Sequence, residues 1–202
     1  MKSRGLIIAL GIVGLLIVFA IIIVGWGVGI YNGLVNKDEG VKEAWSQVQN
    51  QYQRRFDLIP NLVETVKGFA KQEQTVLIGV TEARAKVGQM NISPQLLNNP
   101  QAFKQFQSAQ DNLSGALSRL MVVVENYPQL KSDQNFLQLQ AQLEGTENRI
   151  AVERRRFNEV VQEYNIAIRR FPTASIAAMF GFQPKPYFEA EAGAAEAPKV
   201  KF

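Results

Sequence analysis

Residues Leu6–Ile30 read LIIALGIVGLLIVFAIIIVGWGVGI. A helix of about 20 mostly apolar residues crosses the hydrocarbon core of a bilayer, and this run exceeds that. A helix also satisfies every backbone polar group internally, which lipid demands. No charged residue occurs from Gly5 to Asn36, and charges begin abruptly at Lys37. Trp26 and Tyr31 stand near the far end, where amphipathic rings favour the membrane–water boundary. The sequence therefore suggests a flank over residues 1–4, a transmembrane anchor over 5–31, a helical domain over 32–182 and a tail over 183–202.

The competing reading is a cleaved secretory signal, with Lys2 and Arg4 as its basic start. The apolar run is too long for that, and no A-x-A cleavage site follows it, so an uncleaved anchor is expected. Gly25 and Gly29 form one GxxxG pair, a weak signal for helix–helix approach; Gly11, Gly14 and Gly27 add no clean seam. Lys2 and Arg4 precede the span, and Lys37 and Lys42 follow it. The positive-inside rule then favours a cytoplasmic amino terminus and an exported domain, by a narrow margin.

Composition excludes much chemistry. The chain has no histidine and no cysteine. Disulfides, thiol chemistry and nearly all zinc, haem and iron–sulfur sites fall away. Ser-His-Asp and Cys-His catalysis fall away with them. Catalytic residues, cofactor and metal are all expected to be absent. The net charge is +4 and the pI about 9.4, but basic and acidic residues alternate along the helices. Nucleic-acid recognition wants a continuous basic face, so no nucleic-acid partner is expected.

Beyond the anchor, apolar residues recur in steps of four and three, the stripe of packed helices or a coiled coil. One series runs Val41, Trp45, Val48, Tyr52, Ile59, Leu62, Val66, Phe69, Val76, Val80, Ala83 and Val87. Pro60 falls inside it, but the stripe resumes in phase. Proline in a helix interior loses a backbone bond and kinks the helix, so one kinked helix over about 33–89 is expected. Breakers at Pro94, Asn98, Asn99 and Pro100 mark a linker. A second helix is expected over about 100–127, with the stripe Phe103, Phe106, Gln110, Leu113, Leu117, Leu120, Val124 and Tyr127. A third follows over 132–170, capped by Ser132 or Asp133 and ended at Phe171-Pro172. A short fourth is expected over 173–180, with Gly181 as its stop. The fold class is thus all-α: a transmembrane helix continuing into an antiparallel bundle of three to four helices.

The second helix is about half as long as the first, so it covers only the far half of it. The near stripe, Val41, Trp45, Val48 and Tyr52, then needs another cover. A large apolar patch usually marks a contact site, so these four form a candidate self-association face. The C-terminal aromatics Phe180, Phe182, Tyr187 and Phe188 are the alternative cover.

Four charged residues interrupt the stripes: Arg55, Glu73, Glu147 and Arg154. They can pair across the bundle as Arg55 with Glu147 and Arg154 with Glu73, or otherwise, as a register-fixing layer. A carboxylate site for a metal is thinly supported without histidine. Arg154, Arg155 and Arg156, close to Arg149, offer an anion contact, although Glu144, Glu153 and Glu159 argue for an ordinary salt-laced face.

Several strings are longer and more particular than periodicity requires. Ile30–Ala70 reads IYNGLVNKDEGVKEAWSQVQNQYQRRFDLIPNLVETVKGFA, and Glu144–Glu159 reads EGTENRIAVERRRFNE. YN follows at Tyr164-Asn165, then FPTASIAAMFGF from Phe171 and YFEAEAG from Tyr187. Together these strings closely resemble the LemA family over the anchor and essentially the whole domain. The resemblance implies a bacterial protein of the cytoplasmic membrane, with one anchor, a helical bundle and no established enzymatic activity. It also implies a branch on magnetosome membranes and neighbours that are membrane proteases of the HtpX type or TPM-domain proteins. The function so expected is a membrane-anchored scaffold or interaction protein that contacts the lipid bilayer and forms homo-oligomers. The alternative is an accessory that presents clients to a membrane protease or restrains it.

Overall fold

The computed structural model describes residues 2–70 and 72–189, with side chains from residue 10 onward. Among these residues the chain forms α1 (Lys2–Phe69), α2 (Gln74–Gly88), a 3₁₀ turn (Pro94–Asn98), α3 (Pro100–Val124), α4 (Pro128–Lys131), α5 (Gln134–Arg169) and α6 (Thr173–Met179). No strand occurs among them. The chain is all-α and bundle-like. Residues 190–202, the greater part of the expected tail, lie outside the described residues.

Local chemistry sets the ends of these helices. Asn99 accepts from the Ala102 amide at 3.0 Å, and Pro100 takes the first helical position of α3, where its missing N–H costs nothing. Asp133 accepts from the Phe136 amide at 2.9 Å and caps α5. Gly181 adopts φ 76°, a left-handed conformation that glycine takes without a Cβ penalty, and closes α6.

The contacts divide the chain into two compact units. One comprises residues up to Gly40 together with Gln162–Pro184. Here α1 contains a stretch long and apolar enough to cross a membrane, none of it buried in the chain. Tyr31 packs against Phe180 and Phe182, with ring centroids 4.7 and 5.9 Å apart. Lys37 pairs with Glu163 at 3.2 Å, and Tyr164 donates to the Gln183 carbonyl at 3.0 Å.

The other unit comprises Val41–Val161 and the residues from Lys185 on. It is an up-down-up-down bundle of α1, α2, α3 and α5. Its core packs Ile59, Leu62 and Val66 of α1 against Leu77 and Val80 of α2, Leu117 and Leu120 of α3, and Phe136 and Leu143 of α5. The single helix expected over 33–89 is corrected here. α1 ends at Phe69, and α2 begins at Gln74 and doubles back along α1. Gly88 lies against the Phe56 ring, and the Arg84 Nε donates to the Phe56 carbonyl at 3.2 Å. An apolar stripe in phase on both sides of a reversal reads the same as a continuous one. The break falls after Phe69 and before Gln74, just beyond Gly68, a weak helix former.

That reversal has a consequence. Because α2 returns the chain, α3 starts level with Trp45 and runs alongside α1 in the same direction. Phe103 and Phe106 of α3 lie 5.7 and 5.6 Å from Trp45, and Phe106 lies 5.3 Å from Tyr52. The stripe assigned to self-association is therefore interior. Val41, Trp45 and Val48 have no exposed surface and Tyr52 has 2%. These residues are core, covered within one chain, and are not a free face.

Pro60 lies within α1, which continues through it to Phe69, and its ring is exposed. A proline leaves the carbonyl four residues earlier without its helical donor. That carbonyl belongs to Phe56, and Arg84 fills the vacancy.

Candidate functional site

The charged residues that interrupt the stripes converge inside the bundle of Val41–Val161. Arg55 of α1 is 1% exposed. Its Nη1 donates to both oxygens of Glu147 on α5, at 2.8 and 3.1 Å, and to Ser114 Oγ on α3 at 2.6 Å. Its Nη2 donates to the Gln110 side-chain carbonyl. Gln110 is the polar residue that interrupted the α3 stripe, and its place there is explained by this contact. The Arg55 Nε has no partner among the described residues.

One turn earlier on α1, the Tyr52 hydroxyl accepts from Arg154 Nε at 2.5 Å. The Arg154 Nη2 donates to Asp111 at 3.0 Å. Arg154 thus pairs with Asp111, and the expected pairing with Glu73 is corrected. Glu73 instead accepts from the Tyr127 hydroxyl at 3.0 Å, where α2 begins and α3 has ended. The signal missed was Asp111: it falls off the apolar stripe of α3, on the flank that α5 approaches.

The Tyr52 ring is held between two cations, with the Arg55 and Arg154 guanidinium carbons 5.3 and 5.5 Å from its centroid. Arg154 also lies 4.9 Å from the Phe188 ring. Phe188 is 6% exposed, stacks on Trp45 at 6.1 Å, and is held by the Asn158 amide through its own N–H and carbonyl, both at 2.9 Å. Phe188 is therefore core, while Tyr187 and Glu189 on either side of it are exposed.

Electrostatics tie these groups to one another. Burial pushes the Tyr52 phenol up to about 12, against the opposing pull of Arg154 and Arg55. A proton so firmly held is not available for acid–base work near neutrality. The Tyr127 phenol is raised by its hydrogen bond to Glu73 and then by burial. Burial works against the charge of Arg154, but Tyr52 and Asp111 outweigh it and hold the guanidinium charged. Each is a group committed to a neighbour. Among the described residues, no cluster of three carboxylates is placed to hold a metal ion.

Arg155 and Arg156 are exposed and do not join this layer; Arg154 faces inward beside them. The candidate anion contact is split accordingly. A groove of about 560 Å³ lies between the end of α1 and the start of α2, lined by Val63, Lys67, Gln74, Leu77, Ile78 and Glu82 among others. Ile78 is 54% exposed there.

Comparison with known proteins places these strings. The model of the LemA family matches residues 44–202. Magnetosome protein MamQ of Magnetospirillum gryphiswaldense is 29% identical over 174 residues, covering 78% of this chain and 64% of its own. Magnetosome protein MamQ 2 of Paramagnetospirillum magneticum is 28% identical over 175 residues, covering 79% and 64%. Protein LemA of Metamycoplasma hominis is 24% identical over 163 residues, covering 81% and 70%. The chain thus spans less than two thirds of the length of the MamQ relatives it matches.

Proposed function

We propose, since this chain belongs to the LemA family, that it is a single-pass membrane-anchored scaffold that works by binding and not by catalysis. The observation that carries the reading is the committed state of the bundle interior. Arg55 pairs with Glu147, Arg154 with Asp111 and Tyr52, and the phenol holds its proton. What remains for function is the outer surface and the apolar stretch of α1. The MamQ relatives are named as magnetosome proteins. Organisation of membrane or envelope partners by self-association is the corresponding role here. The groove between α1 and α2, with Ile78 half exposed on its wall, is the surface best suited to such contacts.

The location that goes with this role is a bacterial cytoplasmic membrane, with the bundle on the exported side. Lys2 and Arg4 before the span support that orientation. The test is the light-scattering mass of the full chain in mild detergent, beside an Ile78→Glu variant. An assembly in the first that dissociates in the second is the expected result. A monomer in both overturns self-association. The accessory reading, a partner of a membrane protease of the HtpX type or of a TPM-domain protein, would then lead; it rests on the family resemblance.

A further inference from the structure

Within FPTASIAAMFGF, Phe171–Phe182, three large apolar side chains lie open among the described residues. Phe171 is 85% exposed, Met179 76% and Phe180 57%. The segment is nevertheless firmly held. Ala177 is buried, the Phe182 amide donates to the Ala177 carbonyl at 3.0 Å, and the Gln183 carbonyl accepts from Tyr164 of α5. Ordered apolar side chains left open side by side mark a contact site, with protein or with membrane.

The segment's position within the unit says which. A Cβ added at Gly27 would lie 3.9 Å from Ile176 Cδ1, so α6 packs directly on α1 there. One turn later Tyr31 meets Phe180 and Phe182. Gly27 to Tyr31 is the last turn of the uninterrupted apolar run and follows Trp26, which is 53% exposed. That is the depth at which a span of about 20 residues leaves the hydrocarbon for the headgroups. Charge agrees with position. No aspartate or glutamate occurs between Glu163 and Glu189, and the exposed pair Arg169-Arg170 immediately precedes Phe171. A basic pair beside an apolar face is the composition of an interfacial element on anionic lipid.

We infer that the end of α5 and α6, residues 169–182, form a second membrane contact. Phe171, Met179 and Phe180 enter the acyl boundary of the leaflet beside Trp26–Tyr31, and Arg169 and Arg170 meet lipid phosphates. The inference rests on α1 being a membrane span. Two points of attachment then fix the rotation and tilt of α1 about its exit from the bilayer, which a lone helix leaves free.

The absence of native cysteine makes the test direct. Single substitutions Met179→Cys, Phe19→Cys and Val122→Cys are labelled with a fluorophore in the full chain. Each is reconstituted in phosphatidylcholine vesicles with and without phosphatidylglycerol, and circular dichroism checks that helix content is retained. Bromine-labelled lipids quench from the membrane, and iodide quenches from water. The expected result is a loss of emission from Met179→Cys by brominated lipid comparable to that from Phe19→Cys and far above that from Val122→Cys. Adding Arg169→Gln and Arg170→Gln should remove the extra quenching that phosphatidylglycerol gives at Met179→Cys. Quenching at Phe19→Cys but only by iodide at Met179→Cys overturns the second contact and leaves the anchor standing. Quenching by iodide at both overturns the anchor reading itself. A Met179→Cys label shielded from both quenchers means that protein covers the segment, and overturns the lipid assignment.

Discussion

Arg84 donates through Nε to the main-chain carbonyl of Phe56 at 3.2 Å, and Phe56 is the residue whose helical donor would have been Pro60. The Arg84 guanidinium also lies 3.8 Å from the Phe56 ring centroid. The proline that weakens α1 thereby creates the acceptor on which α2 docks. Arg84→Ala should cost about 1–2 kcal/mol, the range for a charged donor to a carbonyl at a half-buried site. Pro60→Ala returns an N–H to that carbonyl, so the double variant should lose less than the sum, with a coupling of about 1 kcal/mol. Urea midpoints of the full chain in detergent measure all four corners of the cycle. Strict additivity would show that the vacancy and the bond are unrelated.

Removing the counter-charge of the buried Arg55 should be severe, although Glu147 itself is 36% exposed. Glu147→Ala leaves Arg55, 1% exposed, without its counter-charge. The expected cost is about 3 kcal/mol. Glu144→Ala, one turn earlier and exposed, should stay within about 0.5 kcal/mol. Chemical denaturation compares the two; equal midpoints would mean that Arg55 finds compensation elsewhere.

Phe188 should behave as a core residue although it lies near the end of the described chain. It stacks on Trp45 and is 4.9 Å from Phe103. Phe188→Ala should cost about 3 kcal/mol by the cavity it leaves. It should also shift Trp45 emission to the red, read in a Trp26→Phe background, since the chain has only these 2 tryptophans. Unchanged emission would place Phe188 away from Trp45 in solution.

Alkaline pH should weaken the bundle through Tyr52. Its folded value is raised from near 10 to about 12. The folded state keeps a proton that the unfolded chain has lost, so the stability it contributes is full below pH 10 and is lost as pH rises toward 12. The loss over that window is on the order of 2–3 kcal/mol. In Tyr52→Phe the fall in midpoint between pH 9 and 11.5 should be shallower than in the parent chain. Parallel curves would assign the alkaline loss to other groups, such as lysines.

Trp45→Glu with Tyr52→Glu, a natural test of a self-association face, should now unfold the bundle. Both residues are interior, and a buried unpaired carboxylate carries a heavy desolvation cost. Loss of near-ultraviolet dichroism is expected; a folded chain of altered mass would restore the face.

Some of this was legible in single residues. Gln110 stood out in an apolar stripe, and Arg55 with Glu147 was among the pairings that the stripes allowed across the bundle. Ser132 or Asp133 was legible as the cap of a helix, and of the two Asp133 makes the bond, because capping needs only local chemistry. The pairing of Arg154 was not legible, because Asp111 lies on the flank of α3 and flanks meet only once crossing geometry is set.

The sequence by itself determined the apolar span, the helical period, the all-α class and the absence of histidine and cysteine chemistry, since each depends on composition or on neighbours within a few residues. The tertiary structure alone decided that α1 stops at Phe69 and α2 folds back, because an in-phase stripe has the same pattern whether the chain goes straight or reverses. That one reversal moves α3 by the length of α2. It turns Val41, Trp45, Val48 and Tyr52 from an apparent surface into the core, because burial depends on which helix arrives, and periodicity reports only that one must.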